Sequence, residues 1–173
     1  MYVQSQFLAE TNLPILLLEF NCIRGDLMSE QPEIFRPYLH IATFCEMVLQ
    51  EGNGVNSLIR LVDRFNIQGP TEEMQPVPLQ FTVYISFKSG FMRGKQKVSI
   101  RPKSPHGEDL PSMDFPVLFE GDDDRGPAIV IPIVWTANEE GVFWWDLYVN
   151  DVLVTRMPLR VAYQQMRMPI PGA

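Results

Sequence analysis

Histidine changes charge near neutrality, which makes it the usual general base and metal ligand. The chain has only two. His40 falls in YLHIATFCEMV (38–48), which has the pattern of a strand, and His106 in a Pro-His-Gly turn. No HxH, HxxxH or HExxH spacing occurs, so no histidine-built zinc site is expected. Cys45 lies among Phe44, Met47 and Val48, a setting that predicts a buried, inert thiol; a Glu46 carboxylate close by would raise its pKa further. There is no G-x-S-x-G elbow and no glycine-rich phosphate loop of the Walker or dinucleotide type. His106, Glu108 and Asp109 stand too close together in sequence to be given separate catalytic roles. No enzymatic activity and no cofactor are expected.

Two charged stretches remain. KSGFMRGKQKVSIRPK (88–103) carries Lys88, Arg93, Lys95, Lys97, Arg101 and Lys103 with no acid among them, six of the fourteen Lys and Arg residues. In a strand, Lys95, Lys97, Ser99 and Arg101 share one face, so the charge forms a stripe. Such a stripe protects an exposed strand edge from pairing with other chains, or it forms a surface for an acidic partner. Phe91 and Met92 add apolar anchors at the preceding turn, which reads as a hairpin. Without aromatic residues interleaved along it, the stripe does not suit single-stranded nucleic acid.

The acidic counterpart is GDDDRG (121–126). Calcium takes six to eight oxygen ligands, usually from more than one segment. Asp122, Asp123 and Asp124 cannot all turn inward together. Glu120, Asp109 or the Asn138-Glu139-Glu140 turn could complete a site only if one end of the fold gathers them. A solvated loop is the simpler reading, and a calcium or small-ligand site the alternative.

Both stretches must be positioned by strands. LQFTVYISF (79–87) alternates apolar and polar residues without exception, the period of a half-buried strand. Further strand patterns are 38–48, 56–65, 95–102, 128–137, 141–149 and 152–161, separated by EGNG, KSGFMRG, GDDDRG and NEEG turns. Regular short strands without a long amphipathic helix predict an all-β antiparallel sandwich, Greek-key or immunoglobulin-like, of seven to eight strands. In GVFWWDLYV (141–149) both faces are largely apolar and proline is absent, so this strand is expected to be central. Burying Phe143 or Trp145 contributes roughly 1.5–3 kcal/mol each. Asn150-Asp151 suits a tight turn that needs positive φ. Pro132 and Pro158 each remove a ladder donor and suit edges or bulges.

With 173 residues, 46% hydrophobic and 20% charged, the chain has the size and make-up of one soluble domain. A net charge of −7 argues against general nucleic-acid binding. Cys22 and Cys45 do not make a disulfide framework, which suits a reducing compartment. The apolar run at 13–20 is shorter than the roughly 18 residues of a membrane helix, and it lacks the flanks of a signal peptide. A cytoplasmic protein with no membrane role is expected. Residues 1–37 read as an extension, 38–163 as the sandwich and 164–173 as a tail. Met28 is a second plausible start, which an intact mass of the natural product decides.

FCEMVLQEGNGVNSLIRLVDRF (44–65) and GVFWWDLYVNDVLVTRMPLRV (141–161) together resemble a family of small uncharacterised bacterial all-β proteins. In that family a strand like "fCe" opens the domain and a "G-x-y-x-f-x-v…iPL-x-V" hairpin closes it. The resemblance covers about 38–162, implies the fold and carries no known chemistry. This chain has Asp151 at the hairpin position that glycine usually takes. The functional expectation is an interaction module for an acidic protein, with Lys88, Phe91, Arg93, Lys95, Lys97, Arg101 and Lys103 at its surface. Homodimerisation through a sheet edge is compatible with that reading.

Overall fold

The computed structural model describes residues 37–166 apart from 123. The expectations for the apolar run at 13–20, for Cys22, for the start at Met28 and for the end of the tail lie outside the described residues. Nine strands follow in order: β1 (Tyr38–Gln50), β2 (Asn56–Leu61), β3 (Arg64–Gly69), β4 (Val77–Lys88), β5 (Arg93–Lys103), β6 (Met113–Glu120), β7 (Ala128–Ala137), β8 (Gly141–Val149) and β9 (Val152–Gln165). They form a four-stranded sheet, β2-β1-β4-β7, and a five-stranded sheet, β3-β9-β8-β5-β6. All the pairings are antiparallel except β3 with β9, which is parallel. No described residue is helical.

The period of two decides which side of each sheet is dry. Leu79, Phe81, Val83, Ile85 and Phe87 of β4 are buried on one face, and Phe143, Trp145, Leu147 and Val149 of β8 are buried opposite them. The two layers meet in an aromatic seam. Trp145 packs edge-on against Phe44 at 5.6 Å and Phe81 at 5.5 Å, and Phe87 packs against Phe119 at 5.6 Å. Edge-to-face contacts of this kind add to the burial of apolar area that drives sheet-on-sheet packing. As its composition predicts, β8 is the middle strand of its sheet.

Proline positions follow the ladders. Pro116 and Pro132 lie in the edge strands β6 and β7. Pro158 precedes the β3–β9 ladder, which begins at Arg64↔Arg160, and Pro102 lies past the last β5–β6 pair, Ile100↔Met113. Pro78 lies beyond Cys45↔Thr82, where the β1–β4 ladder ends. Each proline therefore sits where one side of its strand has no partner strand, so no ladder donor is missed there.

Several expectations are corrected. The 56–65 run is two strands, β2 and β3, in different sheets, and Arg60 takes a positive φ of 49° near the break. The segment 113–120, not anticipated as a strand, is β6. The 89–92 segment is not a hairpin, because β4 and β5 belong to different sheets. There Gly90 has φ 54°, and the Met92 N–H bonds to the Ser89 carbonyl at 3.0 Å. The chain crosses between sheets at β2–β3, β3–β4, β4–β5, β6–β7 and β7–β8. Only the remaining connections join neighbours in one sheet.

Candidate partner-binding face

Lys95, Lys97, Ser99, Arg101 and Lys103 alternate along β5 with the buried Val98 and Ile100, so the stripe lies on the outer face of the five-stranded sheet. The strand is not at an edge. It lies between β8 and β6, both of which pair with it, so edge protection does not account for its charge. The stripe instead joins a wider face. Register places Lys103 beside Trp144 and Trp144 beside Pro158; one step along, Arg101 is beside Asp146 and Asp146 beside Arg156. Arg160 lies opposite Val142.

Three of the stripe cations are partnered. Lys97 Nζ is 3.0 Å from Asp114 and 3.9 Å from Asp151, Arg101 bonds to Asp151, and Lys103 Nζ is 2.5 Å from Asp109. The Arg101 guanidinium also lies over the Tyr148 ring, 4.2 Å from its centroid. The hydrogen bond from Lys103, followed by its charge, holds Asp109 below the usual carboxylate range, and Asp109 in turn raises Lys103. Asp114 is lowered first by the Ser99 hydroxyl facing it and then by Lys97. That hydroxyl completes no full hydrogen bond among the described residues, so the Lys97 pair is the firmer cause. These are exposed pairs of modest strength, and salt screens them. Arg93, Lys95 and Arg160 form no ion pair among the described residues.

Asp146 is the exception to the exposed chemistry of this face. It is fully buried, with Arg156 Nε 3.2 Å from Oδ1 and Arg156 Nη2 3.3 Å from Oδ2. The Nη2 contact is a hydrogen bond to Oδ2, whereas Oδ1 has the Nε charge close by but completes no hydrogen bond among the described residues. Next to it on the same strand face, Trp144 stays 41% exposed. The face therefore presents an exposed indole among cations, and Trp144, Arg156 and Arg160 were not among the expected binding residues.

The remaining nominees separate. Lys88 belongs to the four-stranded sheet, and Phe91, 58% exposed, lies in the crossover between sheets. Eight residues of β5 separate Lys95 from Lys103, about 26 Å of strand, so this crossover is at the far end of the face from Trp144. Lys88 Nζ donates to the Asp124 carbonyl at 2.6 Å. Lys88, Ser89, Glu120 and Arg125 line a cavity of about 470 Å³ beside the acidic loop. An ammonium on a loop carbonyl competes with any calcium there. The other expected oxygen donors do not converge either. The 121–127 connection enters β7 at Ala128, whereas 138–140 leaves it after Ala137, ten residues of strand away. Asp109 precedes β6, Glu120 ends it, and Asp109 is held by Lys103. Asp123 lies outside the described residues. Among the described residues no group of three or more His, Cys, Asp and Glu side chains is placed to hold a metal ion.

Cys45 is fully buried and donates to the Thr82 carbonyl at 3.7 Å. Burial pushes its thiol above the ordinary value, partly offset by a hydrogen bond from the Met47 backbone. Glu46 is engaged by Arg60 at 2.9 Å, and His106 Nε2 is 3.2 Å from Glu139 on an exposed turn.

The fold defines an all-β, two-sheet sandwich domain. No protein-family model matches the chain, and no curated protein matches it. Among solved structures, an immunoglobulin-like protein from Pseudomonas aeruginosa aligns with a TM-score of 0.40 at 12% identity, over 75% of this chain and 98% of that one.

Proposed function

We propose that this protein is a non-enzymatic interaction module that binds an acidic protein segment on the outer face of its five-stranded sheet. The observation that carries the reading is Trp144, an exposed indole set between Lys103 and Pro158, with Arg156 and Arg160 on the adjoining strand. Tryptophan and arginine are the residues most enriched where binding energy concentrates. The strands of this face contribute Arg64, Arg93, Lys95, Lys97, Arg101, Lys103, Arg156 and Arg160 against Asp114, Glu120 and Asp146, in a chain whose net charge is −7. That asymmetry would steer an acidic partner to this side. The 88–93 crossover becomes an outlying contact rather than the centre.

A panel of Asp/Glu-rich peptides containing one aliphatic residue, titrated by fluorescence anisotropy, tests the proposal. Binding should weaken at least tenfold in Trp144→Ala and in Arg160→Glu, and should fall as salt rises. Unchanged affinity in both variants would move the site to the Lys88–Arg93 end. No binding to any acidic peptide would sink the acidic-partner reading.

A further inference from the structure

Arg64 and Arg160 are register partners on the neighbouring parallel strands β3 and β9. The next pair, Phe65 and Val161, packs toward the core, so both arginines lie on the outer face, where both are exposed. Strands about 4.8 Å apart hold their stems side by side. Like charges so placed repel. Neither arginine forms an ion pair among the described residues. The carboxylates of nearby strands and turns are engaged elsewhere. Glu46 is 2.9 Å from Arg60, Asp146 is held by Arg156, and Glu140 Oε2 accepts from the Tyr163 N–H at 3.3 Å. Asp63, next to Arg64, accepts from the Arg160 N–H through its backbone carbonyl at 3.0 Å. The arginine pair thus adds repulsion to the fold and, among the described residues, no ion pair.

We infer that Arg64 and Arg160 form a clamp for a phosphate monoester, so that the acidic segment proposed above carries a phosphoserine or phosphothreonine. This deepens that reading and rests on it. Charge decides between phosphate and carboxylate. A phosphorylated side chain brings about −1.5 to −2 at neutral pH with several strong acceptor oxygens, whereas Asp or Glu brings a single negative charge. Two guanidiniums match the first, and a lone carboxylate leaves one of them uncompensated. Their planar forks also suit phosphate oxygens gripped in pairs.

Register then sets where the rest of the segment lies. Arg160 is opposite Val142 and Trp144 is opposite Pro158, so Arg160 and Trp144 are diagonal neighbours on β9 and β8. Such diagonals span about 7–8 Å. Same-face residues of an extended peptide, two positions apart, are separated by about 6.5–7 Å. A phosphorylated residue over the arginine pair therefore sets the residue two positions away over Trp144, whose indole is 41% exposed. An aliphatic side chain fits there, against the indole and Pro158. The ligand is an extended segment with an aliphatic residue two positions from a phosphorylated one.

Anisotropy titrations of the full chain with four labelled peptides give the test. One carries phosphoserine with leucine two residues away, two replace the phosphoserine by glutamate or by serine, and the last keeps phosphoserine but replaces leucine by glycine. The first should bind at least tenfold more tightly than the serine peptide and about fivefold more tightly than the glutamate peptide. Arg64→Gln and Arg160→Gln should each remove the preference for phosphoserine over glutamate at an unchanged thermal midpoint. Arg64→Lys, which keeps the charge and loses the fork, should lower that preference too. Equal binding of the phosphoserine and glutamate peptides overturns the inference and leaves the acidic-partner reading standing. A preference that survives all three variants overturns it by placing the phosphate elsewhere. Equal binding of the leucine and glycine phosphopeptides overturns it as well, since Trp144 would then take no part beside the phosphate. Binding of none of the four overturns both readings.

Discussion

The Asp151 carboxylate accepts a hydrogen bond from the Arg101 guanidinium across the β8–β9 turn while its own backbone is held at φ 62°. Asn150 before it has φ 49°, so both central residues of the turn are left-handed, the geometry in which glycine is usual at the second position. Asn150 also extends the β5 ladder, donating its N–H to Lys97 O at 2.8 Å and accepting from Lys97 N at 3.1 Å. Asp151 trades backbone ease for contacts with Arg101 and Lys97.

Asp151→Gly separates the two effects. Relief of a left-handed non-glycine residue favours the variant by up to about 1 kcal/mol. Loss of exposed ion pairs opposes it by roughly 0.2–1 kcal/mol and only at low salt. The variant should therefore match the parent at low ionic strength and exceed it at high ionic strength. Thermal midpoints at two salt concentrations check this; a variant less stable at both would show that the Arg101 contact outweighs the strain.

The buried Asp146 should respond differently. Arg156→Met leaves a fully buried carboxylate without its arginine partner and should cost about 3 kcal/mol. Adding Asp146→Leu removes the orphaned charge and should recover most of that loss. Urea unfolding of the single and double variants measures both. A double variant no better than the single would mean that the pair contributes by shape rather than by charge.

Acid should loosen the β5–β6 side. Asp109 and Asp114 are both lowered from the ordinary value of 3.8, Asp109 by Lys103 and Asp114 by Ser99 and Lys97. A carboxylate with a depressed folded-state pKa stabilises above its unfolded value, and that stability is lost as pH falls through the folded one. The thermal midpoint should hold steady above about pH 5 and decline below about pH 4. Asp114→Asn should flatten the decline, and an identical pH profile would show that Asp114 carries none of it.

What was legible in the sequence tracks what is local. Period two in 79–87 and 141–161 revealed β4, β8 and the closing hairpin, because burial on one face writes itself directly into alternation. In β6, Phe115, Val117 and Phe119 alternate as well, around a Pro116 that is tolerated because β6 is an edge strand. The division of 56–65 into two strands carries no glycine or proline to announce it. The setting of β5 depended on strand order, which comes from non-local pairing. Cations spaced two apart look the same at an edge and beside β8. The face proposed for binding was hidden for the same reason: Arg156 and Arg160 come from a segment over fifty residues from the stripe, and only register brings them to Trp144.

The adjacent tryptophans offer the sharpest separation of fold from function. Trp145 is 3% exposed and touches Phe44, Phe81 and Trp135, although its indole N–H finds no acceptor among the described residues. Trp144, one residue earlier, points the other way. Truncating Trp145 to alanine should cost about 3–5 kcal/mol, since it empties the centre of the aromatic seam. Trp144→Ala should change stability by less than about 1 kcal/mol, because surface positions away from special backbone or buried charge tolerate truncation. If Trp144 serves binding, its loss should abolish peptide affinity at nearly full stability. Trp145→Phe should keep affinity while lowering stability modestly, the orphaned N–H having been removed along with the lost volume. Paired unfolding and anisotropy measurements on the three variants distinguish the roles. A large stability loss from Trp144→Ala would make that residue part of the scaffold and remove the anchor on which the acidic-partner reading rests.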